Sequence, residues 1–170
     1  MTSLVRPSVE YAESWAAAVR EFVEDGTAMN GSGLWHLDDP LAAGIEQVVE
    51  DLRRIEDPEH ASPPVRVPCT YFWIVEGAAF VGYLAMRHEL NDWLLNEGGH
   101  IGYSVRPSRR RQGHAARALA LALDEARAIG LDRVLVTADE ENRPSWRVIE
   151  ANAGVLEDSR AGKRRYWIQL

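Results

Sequence analysis

The stretch "RPSRRRQGHAARALALALDEA" (residues 106–126) turns from four arginines in six positions into an alanine- and leucine-rich run. The run predicts a helix from about His114 to Ile129, and Gly130 is a typical helix stop. The aromatic and β-branched segments "HIGYSV" before it and "RVLVTA" after it predict strands. A strand, a helix and a second strand in this order form a crossover, so we expect the two strands to be parallel.

The elements around this crossover complete a mixed α/β pattern. Ser8 can cap a first amphipathic helix that ends at Gly26. Asp39 followed by Pro40 is typical of the start of a second helix. The segments "TYFWIV" and "AFVGYLAMRHEL" predict a hairpin, "PSWRVIEA" a short helix and "GVLEDSRAGKRRYWIQL" a final hairpin. The order α-α-β-β-β-α-β-α-β-β predicts a mixed sheet in one domain over residues 1–170.

Charge distribution and composition exclude several classes of function. The chain has a net charge of −7, yet five arginines and no carboxylate lie between Ile101 and Ala120. Because the positive charge is confined to one turn, a nucleic-acid-binding surface is disfavoured. The histidines lack ligand spacing and Cys69 is the single cysteine, so we expect no metal site and no internal disulfide. The longest apolar run, 118–123, is too short to cross a bilayer, which predicts a cytoplasmic protein without a membrane segment.

A helix that begins directly after an arginine-rich turn can bind an anion. Its first turn has unpaired backbone N–H groups and the positive end of the helix dipole. Those donors belong to Arg111, Gln112, Gly113, His114, Ala115 and Ala116. The arginines add charge that can rotate onto further phosphate groups. Neither G-x-x-x-x-G-K-[ST] nor G-x-G-x-x-G is present, so a P-loop or a dinucleotide-binding site is disfavoured, while a solvated arginine-rich helix start remains an alternative.

The segment "RRQGHA" (residues 110–115) resembles the R/Q-x-x-G-x-G/A signature of the GNAT superfamily of acetyl-CoA-dependent N-acyltransferases. Its setting strengthens the resemblance, because "GYSVRP" precedes it and "VLVTADEENRPSWRVIEANAG" follows the helix. The segments "GGHIGYSVRP" and "RRYWIQL" resemble one subfamily of acetyltransferases within it. The resemblance implies a mostly antiparallel twisted sheet of about six to seven strands, with one parallel splayed pair and helices on both faces.

The resemblance also implies roles for particular residues toward acetyl-CoA as cosubstrate, with no metal. The turn around Arg110 and Arg111 would bind the pyrophosphate through the backbone N–H groups that follow. The strand end formed by Tyr103, Ser104 and Val105 would pair with the pantetheine amides. Asn142 would hydrogen-bond the pantetheine arm, and Ser145 would lie nearby. The residues with an implied role in binding acetyl-CoA are Tyr103, Ser104, Val105, Arg110, Arg111, Gln112, Gly113, His114, Ala115, Ala116, Asn142 and Ser145.

The sequence departs from the family pattern at the expected catalytic positions. Many members have a tyrosine as general acid seven residues after the asparagine, where this chain has Ile149. Some members have a glutamate on the preceding strand, where this chain has Thr137. Ala153 also stands where glycine is commoner. These departures leave the general acid and one usual base unassigned.

Three replacement candidates follow from strand parity and position. If "EGGHIGYSV" is extended, Glu97 shares a face with Tyr103 and Val105, and His100 lies on the other face. Glu97 is then the better general base, although a bulge at the two glycines would exchange it with His100. Tyr166 in the final hairpin is a candidate acid or substrate contact. A structural role for His100 or Tyr166, and a solvated carboxylate at Glu97, are the alternatives.

The favoured function implied by the resemblance is acetyl transfer from acetyl-CoA to a small-molecule or peptidyl primary amine by direct attack. The acidic stretches 38–39 and 139–141 would suit a cationic acceptor, and Trp35 and Trp93 lie in loops that can wall its pocket. The alternative is a non-catalytic acyl-CoA-binding sensor or interaction module. The sequence allows a monomer or a homodimer.

Overall fold

The computed structural model describes residues 1–61 and 63–170. Its seven strands are β1 Thr2–Val5, β2 Cys69–Glu76, β3 Ala79–Arg87, β4 Ile101–Val105, β5 Arg133–Asp139, β6 Val155–Arg160 and β7 Lys163–Gln169. Its five α-helices are α1 Ala12–Asp25, α2 Pro40–Ala43, α3 Ile45–Arg54, α4 His114–Ala128 and α5 Arg143–Ala151. Short 3-10 turns cover Val9–Tyr11 and Pro107–Arg109, and a π-helical turn covers Leu94–Gly98.

The strands form two antiparallel sheets that adjoin at β4 and β5. One sheet has the order β1-β2-β3-β4 and the other the order β5-β7-β6. Two hydrogen bonds connect them, from His100 N to Leu135 O at 2.7 Å and from Leu135 N to His100 Nδ1 at 2.9 Å. Beyond this junction, β4 and β5 form no ladder with each other in the described part of the chain. The mixed α/β fold is confirmed. The predicted mixed sheet is instead two antiparallel sheets, because β4 and β5 separate beyond the junction and form a split rather than a parallel ladder.

Each face of the first sheet packs on its own helices because β3 alternates its side chains. Tyr83 and Ala85 pack into a core with α1 and α3, whereas Leu84 and Met86 pack into a core with α4 and α5. The second core also includes residues of β5 and β7. Helices therefore cover both faces, and the split between β4 and β5 lies beside α4.

Helix caps agree with the sequence. The Ser8 side chain accepts a hydrogen bond from Glu10 N and so caps the 3-10 turn that leads into α1, whereas α1 itself has no side-chain cap. Gly26 ends α1 in the left-handed region with φ 66°. Asp39 caps α2 by accepting from Leu41 N at 2.9 Å.

Two local predictions were wrong. The first strand, β1, was not predicted; it pairs with β2 with Ser3 opposite Val75. The second helix is broken at Gly44, which has φ 85° and ψ 157° and separates α2 from α3. Leu41 on α2 and Ile45 on α3 both pack against the first core, so the apolar face of the two helices continues across the break.

No helix in residues 1–61 or 63–170 combines the length and apolarity needed to cross a membrane. Within the same ranges, no three side chains of the His, Cys, Asp and Glu types come together as a metal site. Cys69 is a buried free thiol, and burial raises its pKa to about 11.

Candidate active site

The edge of β4 that faces the split has unpaired backbone groups. Arg87 N donates to His100 O, and Arg106 N donates to Val81 O, so the even-numbered residues of this strand bond to β3. In an antiparallel ladder, the backbone groups of alternate residues point to opposite sides. The N–H and C=O groups of Tyr103 and Val105 therefore point away from β3, toward the split. An extended, amide-containing ligand could pair with this edge as an additional strand.

Ser104 differs from its two neighbours. Its backbone lies on the side that bonds to β3, and its hydroxyl donates to Asn30 O at 2.8 Å. The expected three-residue contact thus has free backbone N–H groups at Tyr103 and Val105 and a free C=O at Tyr103, whereas Val105 O already accepts from Arg110 Nε. Ser104 is tied to the loop after α1.

The N-terminus of α4 follows β4 after one short turn and is open to an anion. Gly113 is its N-cap residue with φ 84°, and no side chain caps the helix. A Cβ at Gly113 would meet no atom within 4 Å, so the space before the helix is empty. Arg111, two residues before this N-cap, also has a positive φ of 61°, so the chain enters the helix through a left-handed turn. The sequence places the backbone donors of residues 111–116 at this uncapped helix start, and their role as an anion site stays a prediction.

The arginine side chains of this turn are largely committed to the protein itself. Arg106 pairs with Glu21, and Arg109 pairs with Glu76. Arg110 binds Asp25 at 2.8 Å, and it also donates from Nε to Val105 O at 3.1 Å. Arg106, Arg109 and Arg110 are therefore engaged within the protein, and Arg111 is the arginine of this turn without an ion pair among the described residues, so rotation of arginine charge onto phosphate stays a prediction.

One of these ion pairs is strong enough to set the pKa of its acid. The hydrogen bond from Arg106 lowers the pKa of Glu21 from 4.5 to about 2, against the opposing effect of burial; Ser108 N also donates to this carboxylate. The pairs between this turn and α1, which supplies Glu21 and Asp25, fix the turn beside the split. The backbone, rather than the arginine side chains, presents the free donors.

Asn142 caps α5 at the other side of the split. Its Oδ1 accepts from Ser145 N at 3.3 Å, which leaves its Nδ2 donor without a partner among the described residues. The Ser145 Oγ lies 3.0 Å from the hydroxyl of Tyr103, so α5 and β4 are in direct contact. Burial raises the pKa of Tyr103 to about 12. Asn142, Ser145 and Tyr103 are thus brought together, and their role toward the pantetheine arm stays a prediction.

The positions where the family pattern fails are structural in this chain. Ile149 is fully buried in the core between the sheets and α4, and a Cβ at Gly154 would lie 2.4 Å from its Cγ2. The Thr137 hydroxyl donates to Glu97 O at 2.6 Å. Ala153 has φ 62°, a left-handed conformation that favours glycine.

The assumption that the chain is extended from Glu97 to Val105 is wrong. Residues 94–98 form the π-helical turn, and Gly99 has φ 63°. A Cβ at Gly99 would lie 2.5 Å from Leu135 O, so only glycine allows this close approach of the turn to β5. Glu97 is partly exposed, and its carboxylate makes no hydrogen bond or ion pair within the described residues. The parity argument no longer supports Glu97, but its carboxylate remains free to act.

His100 joins the two sheets. It is 6% exposed, and its Nδ1 accepts the N–H of Leu135. Burial, together with Arg87 and Arg133, lowers its pKa to about 4. The neutral ring therefore carries its proton on Nε2, and the lone pair that a general base needs is already bonded. This geometry favours the structural interpretation of His100.

Tyr166 is fully buried on β7, and its hydroxyl donates to Glu150 Oε1 at 3.0 Å. Burial and this hydrogen bond raise its pKa to about 12. A buried phenol that already has an acceptor is poorly placed to meet a substrate, so the structural interpretation is favoured here as well.

A cavity of about 480 Å³ lies on the α1 side of the first sheet. Trp35 and Trp93 both line it, as do Tyr71 and Arg87. Sequence reasoning missed Arg87, although the alternation of β3 places position 87 on the same face as Tyr83 and Ala85. A charged residue at an inward-facing strand end is the signal that could have identified it.

Residues 36–155 match the acetyltransferase (GNAT) family. No curated protein matches the chain. RimJ from Mycobacterium smegmatis, solved with CoA-disulfide, has 21% identity and a TM-score of 0.68, with 99% of this chain and 81% of that chain covered.

Two further structures share the fold. The microcin self-immunity acetyltransferase MccE, solved with acetyl-CoA and AMP, has 13% identity and a TM-score of 0.67 over 99% of this chain and 92% of that one. A ribosomal-protein alanine acetyltransferase from Vibrio fischeri has 16% identity and a TM-score of 0.62 over 99% and 91%. Since the family match covers most of the sequence, this chain belongs to the acetyltransferase (GNAT) family.

Proposed function

We propose that this chain is an acetyl-CoA-dependent N-acetyltransferase that acts on a primary amine by direct attack. The observation that carries the proposal is the free backbone edge of β4, which leads through one turn into the uncapped N-terminus of α4. Family membership supports it. RimJ and MccE, which share the fold, were solved with CoA-disulfide and with acetyl-CoA and AMP, respectively.

The open groups of the chain match the chemical features of acetyl-CoA. The backbone N–H groups of residues 111–116 would bind the pyrophosphate, because they are unpaired and lie at the positive end of the helix dipole. The N–H and C=O of Tyr103 and the N–H of Val105 would bind the pantetheine amides, while Val105 O already accepts from Arg110 Nε. The Asn142 Nδ2 would donate a further hydrogen bond while Oδ1 keeps the cap of α5.

When bound, acetyl-CoA supplies an activated thioester carbon for the amine to attack. The amine must first lose a proton, because an alkyl ammonium has a pKa of about 10.4. We assign this step to Glu97, directly or through water, since its carboxylate has no other partner and adjoins the Gly98–Gly99 end of the turn. The C–N bond then forms as the C–S bond breaks. The nitrogen gives its second proton to water, and water returns a proton to the departing thiolate, because Ile149 cannot supply one.

A non-catalytic acyl-CoA-binding module is the second candidate. The burial of Ile149 and the hydrogen bond of Thr137 to Glu97 O favour it, because both positions where family members hold acid or base groups serve the fold here. Both candidates bind the same cosubstrate, so binding alone does not distinguish them.

The deciding experiment mixes the protein with acetyl-CoA and a panel of primary amines, and measures free thiol and product mass. We expect thiol release that depends on the amine, with a mass increase of one acetyl group. Binding of acetyl-CoA without amine-dependent thiol release across the panel would favour the non-catalytic module.

A further inference from the structure

Arg87 occupies the inner wall of the cavity beside β4. Its Nη1 donates to Gly98 O at 3.2 Å and lies 3.4 Å from Gly99 O. A Cβ at Gly102 would lie 3.2 Å from the same nitrogen, so the guanidinium lies across the face of β4. The positive charge of Arg87 is therefore fixed next to β4, the strand that bonds to β3 along one edge and faces the split along the other.

The charge of Arg87 has no acidic partner. No carboxylate of the described residues lies within ion-pairing distance of it, whereas Arg106, Arg109 and Arg110 each have one. Its Nε is buried without a hydrogen-bond partner, and its Nη2 makes no hydrogen bond within the described residues. A partly buried guanidinium whose donors have no acidic partner in the protein is suited to bind an anion.

The rest of the cavity wall is apolar, aromatic or neutral. Besides Arg87, its lining contains three aromatic side chains, Trp35, Tyr71 and Trp93, and no acidic residue among those described. Trp35 is 55% exposed and Trp93 is 40% exposed, which is unusual for such large apolar groups. Such walls gain most from contact with a planar or bulky apolar group.

The cavity is close enough to β4 to hold an acceptor. Gly31, which lines the cavity, approaches β4 so closely that a Cβ there would lie 2.3 Å from Gly102 O. The hydroxyl of Ser104 bonds to Asn30 of the same loop. The acidic stretches that would suit a cationic acceptor do not line this cavity: Asp39 caps α2, and Asp139 pairs with Lys163 at 2.5 Å.

We propose that the acceptor is a small amine that carries a carboxylate and an aromatic group, such as an aromatic amino acid. Arg87 binds the carboxylate, and Trp35 and Trp93 contact the aromatic group. The inference rests on the proposed acetyl transfer and adds the acceptor class. A volume of about 480 Å³ suits a molecule of this size.

The experiment compares L-phenylalanine with 2-phenylethylamine, which is the same amine without the carboxylate, and with L-phenylalaninamide, which has a neutral carbonyl. Acetyl transfer is measured by thiol release and product mass, with rates corrected for the fraction of neutral amine. For the native protein, we expect kcat/KM for phenylalanine to exceed that for 2-phenylethylamine by about 10- to 100-fold, the range for a hydrogen bond between charged groups. Phenylalaninamide should fall between them.

The variant Arg87→Met should remove this preference, and Arg87→Lys should retain part of it. Arg20→Met, which removes one exposed positive charge from α1, is the matched control and should keep the full preference. Trp35→Ala should raise KM for phenylalanine more than KM for alanine. If Arg87→Met does not fold, this variant still tests whether the cavity binds the aromatic group of the acceptor.

Three outcomes overturn the proposal. Equal use of phenylalanine and 2-phenylethylamine by the native protein would show that no carboxylate is recognised. An unchanged preference in folded Arg87→Met would remove Arg87 from the site. Preferred acetylation of aliphatic diamines would contradict the proposed acceptor class but would leave acetyl transfer intact. The absence of both acetyl-CoA binding and thiol release would instead overturn the proposed function itself.

Discussion

The Nδ1 of His100 accepts a hydrogen bond of 2.9 Å from the backbone N–H of Leu135, and this contact joins the two sheets at the point where they separate. The strand edges open from here toward the N-terminus of α4. The split therefore begins next to this histidine.

The first prediction concerns the pH dependence of stability. Because the pKa of His100 falls from 6.5 to about 4 on folding, the unfolded chain binds more protons between these values. His100 thus contributes stability that is present above pH 6.5 and is lost as pH falls toward 4. As pH falls from 6.5 to 4, the unfolding free energy should decrease less in His100→Gln than in the native protein. We expect the two decreases to differ by on the order of 2 kcal/mol. Chemical denaturation at several pH values measures it; identical pH profiles would contradict the assigned pKa.

The second prediction concerns the base. Glu97→Gln should lower kcat/KM by about 100-fold, within the range for loss of a general base. Acetyl-CoA affinity should stay nearly unchanged, because the carboxylate is not part of the proposed cofactor site. In the native protein, kcat/KM should rise with pH along one limb, as the base or the amine loses its proton.

Glu89→Gln is the matched control, since Glu89 is an exposed carboxylate in the same loop region. Full activity in Glu97→Gln would leave ordered water or the amine itself as the proton acceptor. Tyr166→Phe should have a smaller effect than Glu97→Gln, because the phenol is buried against Glu150.

The third prediction separates the two roles of Asn142. Asn142→Ala removes both the helix cap and the Nδ2 donor, so it should weaken acetyl-CoA binding by about 1 kcal/mol and also lower stability. Asn142→Asp keeps an oxygen for Ser145 N and replaces the Nδ2 donor with a carboxylate oxygen, whose negative charge is favourable at a helix N-terminus. We expect calorimetry to show weaker binding in both variants and thermal melts to show a loss of stability only in the alanine variant. Native affinity and turnover in both would place the pantetheine arm elsewhere.

The fourth prediction uses the strained backbone at Ala153. Since φ is 62° there, Ala153→Gly should raise the free energy of unfolding by about 0.5–1 kcal/mol, after the greater freedom of glycine in the unfolded chain is subtracted. Ala17→Gly, within α1, should instead lower it by up to about 1 kcal/mol. Urea denaturation of the two variants should therefore show shifts of opposite sign, and a loss of stability in both would show that Ala153 is not strained.

Local signals predicted much of the fold. The caps at Ser8 and Asp39, the stop at Gly26 and the start of α4 at His114 all depend on residues adjacent in sequence, and all are confirmed. By contrast, β1 has four residues, too few for its alternation to stand out, and its existence depends on pairing with a strand about 70 residues away.

The site was harder to predict because its geometry depends on long-range contacts. The π-helical turn and Gly99 are shaped by close approach to Leu135, so an extended strand was the wrong premise for Glu97. The arginine turn was identified from its composition, but its ion pairs with Glu21 and Asp25 come from α1, about 85 residues earlier. Sequence spacing carries no information about such partners.

The most direct test of the account is a calorimetric titration of acetyl-CoA into the native protein, Gly113→Glu and Gly130→Glu. Both glycines have positive φ, 84° and 87°, and open space around their Cβ positions, but they lie at opposite ends of α4. A glutamate at position 113 would put bulk and negative charge where the backbone donors converge. We expect at least a 100-fold loss of affinity in folded Gly113→Glu and native affinity in Gly130→Glu; unchanged binding in Gly113→Glu would contradict the assignment of the pyrophosphate to this helix N-terminus.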